Sequence, residues 1–262
     1  MRNVAEWIRR VLAGRQCTAL RRKRQSASGH LIAADRHTDE FLAMLGHELR
    51  SPLASVTHAV QVLRSQKGET PVPERTQALI ERQVHRMTQL VDDLLDVSRI
   101  SRGRLYLQRE RMDLRVLVSN AIEAVEADIS ERHHKLTTSV PDGPVWLQAD
   151  SRRLEQVFVN LLANASKYTD WGGEIRVSVR TCDGQAVVDF RDSGIGIAQD
   201  ALPHIFDLFK QANERDPHSG SGLGIGLALV RDLVELHGGS VTANSAGPRK
   251  GSEFEVRLPL ED

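Results

Sequence analysis

Asn160, Asn164 and Lys167 recur at spacings of four and three in the run N-L-L-A-N-A-S-K-Y-T, so one helical face carries two amides and an ammonium. Core helices rarely carry such a row. An amide oxygen suits a hard cation such as Mg2+, and lysine supplies a point charge for phosphate. Two glycine-bearing stretches follow. D-S-G-I-G-I, Asp192 to Ile197, places an acid ahead of Gly194 and Gly196, which let a backbone come close to a flat ring. G-S-G-L-G-I-G-L carries Gly220, Gly222, Gly224 and Gly226 at the opening of an expected helix, where free amides and the positive dipole end attract phosphate. Far upstream, His47 and Glu48 place an imidazole beside a carboxylate. Taken singly, each has an ordinary reading: an inert surface histidine, a solvated helix acid, a strand-end turn, a weak glycine run.

The elements that must position these groups are legible from periodicity. From Asp39 to Leu63, Leu42, Leu45, Leu49, Val56 and Leu63 recur at helical spacings, with Pro52 as an interruption. His47 is two residues from both Leu45 and Leu49, so it projects roughly opposite the apolar seam. Gly68, Pro71 and Pro73 break the pattern before Ile80, Val84, Met87, Val91 and Leu94 resume it to about Ile100. Two helices and a short loop make an antiparallel hairpin. A lone hairpin buries too little, so two chains pairing into a four-helix bundle is the economical arrangement.

Beyond Leu105 the pattern changes. Asp113 caps a helix running to about Arg132, strands are expected near 136–140 and 145–149, and 154–168 is helical. Strands 174–180 and 186–190 flank Asp183-Gly184, a hairpin signal. A helix from Leu223 to His237 stops at Gly238-Gly239, and strands at 240–245 and 252–258 follow. These predict one mixed sheet covered by helices on one face, an α/β sandwich.

The 262 residues fit two domains and a leader: a basic leader over 1–35, a helical domain over 36–104 and the sandwich over 105–262. Lysine plus arginine and aspartate plus glutamate stand at 35 each, which gives no global argument for nucleic acid. The first 24 residues are an exception, with eight basic residues against Glu6 alone, a mobile solvated arm or one weakly drawn to anionic lipid. Cys17 and Cys182 lack disulfide or zinc-ligand spacing. No stretch of about 18 apolar residues offers a membrane span, so a cytoplasmic location is expected, with membrane attachment not evident beyond peripheral association.

F-L-A-M-L-G-H-E-L-R-S-P-L, Phe41 to Leu53, resembles the H box of histidine kinases. The segments at 160–169, 192–197, Ile205 to Gln211 and 220–227 resemble, in order, the nucleotide-binding boxes of the domain shared by gyrases, heat-shock chaperones, mismatch-repair ATPases and histidine kinases. The chain is thereby identified as similar to the sensor histidine kinases of two-component systems. The resemblance implies ATP and Mg2+ as cofactors, Asn164 on the metal, Lys167 near the phosphates, and Asp192 accepting from the adenine amino group. It implies that Tyr168 contributes a hydroxyl or packing, that Phe206 and Phe209 pack beneath a lid at 212–219 or serve the core, and that Lys210 or Arg215 assists the phosphates.

By the same resemblance His47 takes the γ-phosphoryl group. A neutral imidazole, with a pKa near ~6.5, keeps a lone pair for in-line attack, and Glu48 can hold the other ring nitrogen protonated. The implied partners are a second copy of the chain and the receiver domain of a response regulator, to whose aspartate the phosphoryl group passes. Related ATPases carry a glutamate one turn before the metal asparagine; Asn160 stands there and cannot act as a general base. Ser51 stands where strong phosphatases carry threonine or asparagine. The alternatives are an ATPase or serine kinase on the same fold, and a nucleotide-binding dimeric scaffold.

Overall fold

The computed structural model describes residues 45–46, 49–50, 52–63, 74–210 and 223–261. The chain divides into two units, Met1–Leu53 and Ala54–Asp262. In the first, the described residues are helical. In the second, the helical residues up to 63 complete α1 (52–63), and α2 (Glu74–Ser101) follows. Among the described residues no helix is long and apolar enough to cross a membrane. Along α2, Val84, Val91 and Leu95 are 51%, 46% and 46% exposed, an apolar line facing solvent at the spacing of a helix-pairing seam.

Past α2 come β1 (Glu110–Asp113), α3 (Leu114–Glu131), β2 (Lys135–Ser139), β3 (Trp146–Ala149), α4 (Ser151–Tyr168), β4 (Glu174–Cys182) and β5 (Gln185–Asp192). A 3-10 turn at Leu202–His204, α5 (Gly226–Leu236), β6 (Ser240–Asn244) and β7 (Ser252–Pro259) complete the order. Five strands form a mixed sheet in the order β2-β4-β5-β7-β6, with β2 parallel to β4 and every other pair antiparallel. The expected single sheet needs correction: β3 leaves it and pairs with β1 in a separate two-stranded ribbon, Glu110 opposite Ala149. The acid predicted to cap α3 explains why. Asp113 Oδ1 accepts from Arg115 N and from Val145 N, both at 3.1 Å, which ties the start of α3 to the strand beside it.

The sheet is two-faced. Ile175, Val177, Val188, Phe190 and Val256 are fully buried and join Phe158, Leu161, Leu229 and Leu233 of the helices in one core. The alternate positions carry charge: Arg180 pairs with Asp189 at 3.3 Å and with Glu255 at 2.6 Å, and Arg257 meets Glu255 at 2.7 Å. Val187 on that face is 0% exposed because its cross-strand neighbours are Arg180 and Arg257, whose aliphatic stems can cover it. The hairpin signal holds, with positive φ of 52° at Asp183 and 73° at Gly184.

Candidate functional site

Asp150 caps α4 by accepting from Arg153 N at 3.2 Å. Leu154, Val157, Phe158, Leu161, Leu162 and Ala165 bury one face of the helix. The period of 3.6 then forces Arg153, Gln156, Asn160, Asn164 and Lys167 onto the other, where all five are half-buried. Tyr168 ends the helix, and Lys167 Nζ donates to its hydroxyl at 3.1 Å while lying 4.7 Å from the ring centre.

The strand-end loop docks onto this helix terminus. Ile195 N donates to Tyr168 O at 3.0 Å. A Cβ at Gly194 would stand 2.2 Å from that same carbonyl, so any larger residue would push the loop away. Asp192, at the end of β5, is thereby held near Tyr168 and is 7% exposed. Its Oδ1 accepts from Gly194 N at 2.8 Å and Ser252 N at 3.3 Å, and its Oδ2 accepts from the Ser252 hydroxyl. Burial raises the carboxyl above the usual aspartate range, while the bonds from Ser252 and Gly194 oppose the rise. Gly196 lies against the β6–β7 turn at Gly247.

The glycine-rich segment meets α4 from the other side. The helix α5 opens at Gly226 rather than at Leu223, because Gly224 turns the chain with φ of 64°. A Cβ at Gly226 would lie 3.9 Å from Asn160 Oδ1, so the Asn160 amide adjoins the amide-rich start of α5. Its Nδ2 is buried and has no partner among the described residues. Phe209 N donates to Gly224 O at 3.0 Å, which joins the expected aromatic segment to the glycine segment. Phe206 stacks edge-on against Phe254, their centres 6.4 Å apart, and Ile205 is in the core; Phe206 therefore serves packing, while Phe209 is at the site's margin. Lys210 is exposed.

The structure thus sets Tyr168, Lys167, Asp192 and Gly194 at the C-terminal end of α4, and Gly226, with Gly224 and Phe209 behind it, against Asn160 nearer its middle, with Asn164 between them on the same stripe. His47, Glu48, Gly220, Gly222, Arg215 and the 212–219 segment lie outside the described residues. Two participants were absent from the expectations, Ser252 and the Tyr168 carbonyl. Only strand register reveals the first, since β5 and β7 set Asp192 opposite Ser252. Nothing local to G-S-E-F marks it.

Comparison with known proteins agrees with this geometry. Residues 38–103 match the His Kinase A phospho-acceptor domain, and residues 149–262 match the histidine kinase-, DNA gyrase B- and HSP90-like ATPase family. The chain is 37% identical over 240 residues to sensor histidine kinase TrcS of Mycobacterium tuberculosis, covering 89% of this chain and 46% of that protein. It is 34% identical to the signal transduction histidine-protein kinase BaeS of Escherichia coli, covering 85% and 47%. Among solved structures, histidine kinase AdeS of Acinetobacter baumannii superposes with a TM-score of 0.60 at 25% identity, over 82% of this chain and 98% of that one. Full-length ShkA superposes with a TM-score of 0.61 at 29% identity, over 84% and 46%. The chain spans about half the length of the curated relatives it matches. Two family domains in this order show that the chain carries the phospho-acceptor and ATPase domains of the histidine kinase family.

Proposed function

We propose that the chain is an ATP-dependent protein histidine autokinase, which phosphorylates His47 and passes the phosphoryl group to an aspartate of a response regulator. The observation that carries this reading is the meeting of Asn160 with the start of α5 at Gly226, on the same helix whose end holds the loop of Asp192, a carboxylate fixed by Gly194 and Ser252. The ShkA structure, solved in complex with AMPPNP, supports a nucleotide here. So does the fit of the residues: the unpartnered Asn160 Nδ2 is a donor awaiting an acceptor, and the helix start offers amides to phosphate.

In this reading Asp192 accepts from the exocyclic amine of adenine, which discriminates against guanine because that edge carries a carbonyl acceptor. Lys167 and the backbone at Gly224 and Gly226 face the phosphates, with Gly220 and Gly222 continuing the segment. The Asn164 amide oxygen would hold Mg2+, an ion that neutralises phosphate charge and tolerates one protein ligand. His47 displaces ADP from the γ-phosphorus through one ring nitrogen, and Glu48 takes up the proton released at the other. Asn160 has no basic group to activate water, so hydrolysis stays slow.

The exposed line Val84, Val91 and Leu95 on α2 supports pairing with a second copy, with the helical domain over 36–104 and the ATP-binding domain over 105–262. Both ATP and receiver proteins place this work in the cytoplasm.

The test is incubation with γ-labelled ATP and Mg2+, comparing the intact chain with His47→Gln and Asn164→Ala. Acid-labile, base-stable label should appear on the intact chain and vanish from both variants. Acid-stable label on a partner would instead assign a serine kinase, and nucleotide binding with no label would assign a scaffold.

A further inference from the structure

The two halves of the α4 polar stripe have different occupants. Its C-terminal half carries the nucleotide residues. Its N-terminal half is covered by α2, through four side chains that close into one net. Asp96, only 4% exposed, accepts from Arg153 on both oxygens: Oδ1 from Nη2 at 3.0 Å, and Oδ2 from Nη1. Gln156, one turn along, accepts from Arg153 Nη1 at 2.9 Å and donates Nε2 to Asp93 Oδ1 at 3.0 Å and to Asp96 Oδ2 at 3.3 Å.

The charges in this net do not balance. Asp93 and Asp96 stand one turn apart on the same face of α2, and both guanidiniums that reach this face, Arg153 and the rim-exposed Arg99, are paired with Asp96. Asp93 is 9% exposed and is bonded only to a neutral amide. Around it on α2, Asp92 adds a further negative charge, and Arg99 sits 3.8 Å from Asp96 at a solvent-exposed rim. The neighbouring helix α5, which also packs on α2, carries Arg231, Asp232 and Glu235, with Arg231 turned to Asp232 at 3.7 Å. Among the described residues none of these bonds or ion-pairs with Asp93. A permanent buried contact between helices would be better served by apolar side chains, whereas a buried acid without a counter-charge makes closure conditional on a proton.

We propose that the contact between α2 and α4 is a proton-operated joint between the helical region and the ATP-binding domain, closed when Asp93 carries a proton and loosened when it loses it. Burial first, and then the negative charge of Asp96 and Asp92, lifts the Asp93 carboxyl to about 6, against the opposing effects of Gln156 and Arg153. The closed state therefore holds the proton more tightly than an open, hydrated Asp93 does. Its advantage is complete below the ordinary carboxylate range and is lost as pH rises through about 6. Between an ordinary carboxyl at 3.8 and one at about 6, the closing equilibrium can move by up to about a hundredfold.

The experiment uses the full chain with Cys17→Ser, a spin label on the native exposed Cys182, and a second label introduced by Arg82→Cys on the exposed side of α2. Labelled chain is diluted with unlabelled chain, so that distances within one protomer dominate, and dipolar spectra are collected from pH 5 to pH 8. One narrow distance is expected at the acid end, with a second, broader population growing by up to about tenfold in ratio as the pH rises. Asp93→Asn should keep the narrow distance throughout, and Asp96→Asn should lose it throughout while retaining nucleotide-analogue binding as proof of a folded ATP domain. A distance distribution indifferent to pH, or an Asp93→Asn variant that opens like the unmodified chain, overturns the joint. A chain that opens with pH and yet fails to label at His47 would sink the kinase reading and leave the joint standing.

Discussion

Asp192 shows how one side chain can be costly to the fold and necessary to the site. Burial raises its carboxyl, so the ionised form weakens the folded state once the pH passes above its ordinary range. Asp192→Asn should keep Oδ1 accepting from Gly194 N and Ser252 N, and let the Ser252 hydroxyl accept where it now donates. We expect an unchanged or higher melting temperature with ATP affinity lowered at least about tenfold, since a donor replaces the acceptor facing adenine; calorimetry on both axes checks it. Ser252→Ala removes one bond to that carboxylate. The loss should be about 1 kcal/mol, a roughly fivefold rise in Kd for ATP, with the rate at saturating ATP retained and Ser252→Thr restoring affinity. Asp192 was legible because an acid and two glycines after a strand form a local pattern. Ser252 was not, since its partner stands 60 residues away and is brought opposite only by antiparallel register.

At the scale of elements, α4 was legible almost entirely, because a 3.6 period writes its apolar and polar faces into the sequence. The ribbon of β1 and β3 was only half legible. Glu110–Asp113 reads E-R-M-D, with no alternation and no β-branched residue, and it is a strand because Trp146–Ala149 needs a partner. The packing of α4 on α5 depends on His237, which no periodicity singles out. Its Nε2 accepts from Asp150 N at 3.1 Å, and its Nδ1 donates to Leu233 O at 2.7 Å, a pattern that requires the neutral ring. Burial lowers its affinity for a proton below the ordinary value, against the bond to Leu233. The unfolded chain, then, protonates first as pH falls below about 6.5, and the stability held above that value is lost as pH falls towards the lowered one. His237→Gln should be less stable at pH 7.5 by about 1–2 kcal/mol. The gap between it and the unmodified chain should narrow by pH 5.5 in thermal melts; a gap that stays constant would show that the ring's charge state is irrelevant.

At the scale of the molecule, two faces are open to solvent among the described residues: the charged face of the sheet, balanced by its own ion pairs, and the line Val84, Val91 and Leu95 on α2. Pairing through the second predicts that Val91→Glu shifts sedimentation towards monomer while ATP binding persists, since the Val91 side chain is turned to solvent. Domain order and fold class were legible from periodicity and punctuation. The net in which Asp96 takes Arg153 and Asp93 takes Gln156 was not, because four polar residues on two helices read as solvated faces until the helices touch. The strand order holds a further consequence. The strand β7 lies inside the sheet, between β5 and β6, and carries the hydroxyl that orients Asp192. Vectorial synthesis delivers β5 long before β7. A nascent chain exposing β5 therefore presents an unpaired strand edge and a loose Asp192 at the proposed adenine site until residues 252–259 emerge, several seconds later at ordinary elongation rates of roughly 5–20 residues per second. In the proposed function, nucleotide would then find its full site only after β7 has joined the sheet and set Ser252 against Asp192.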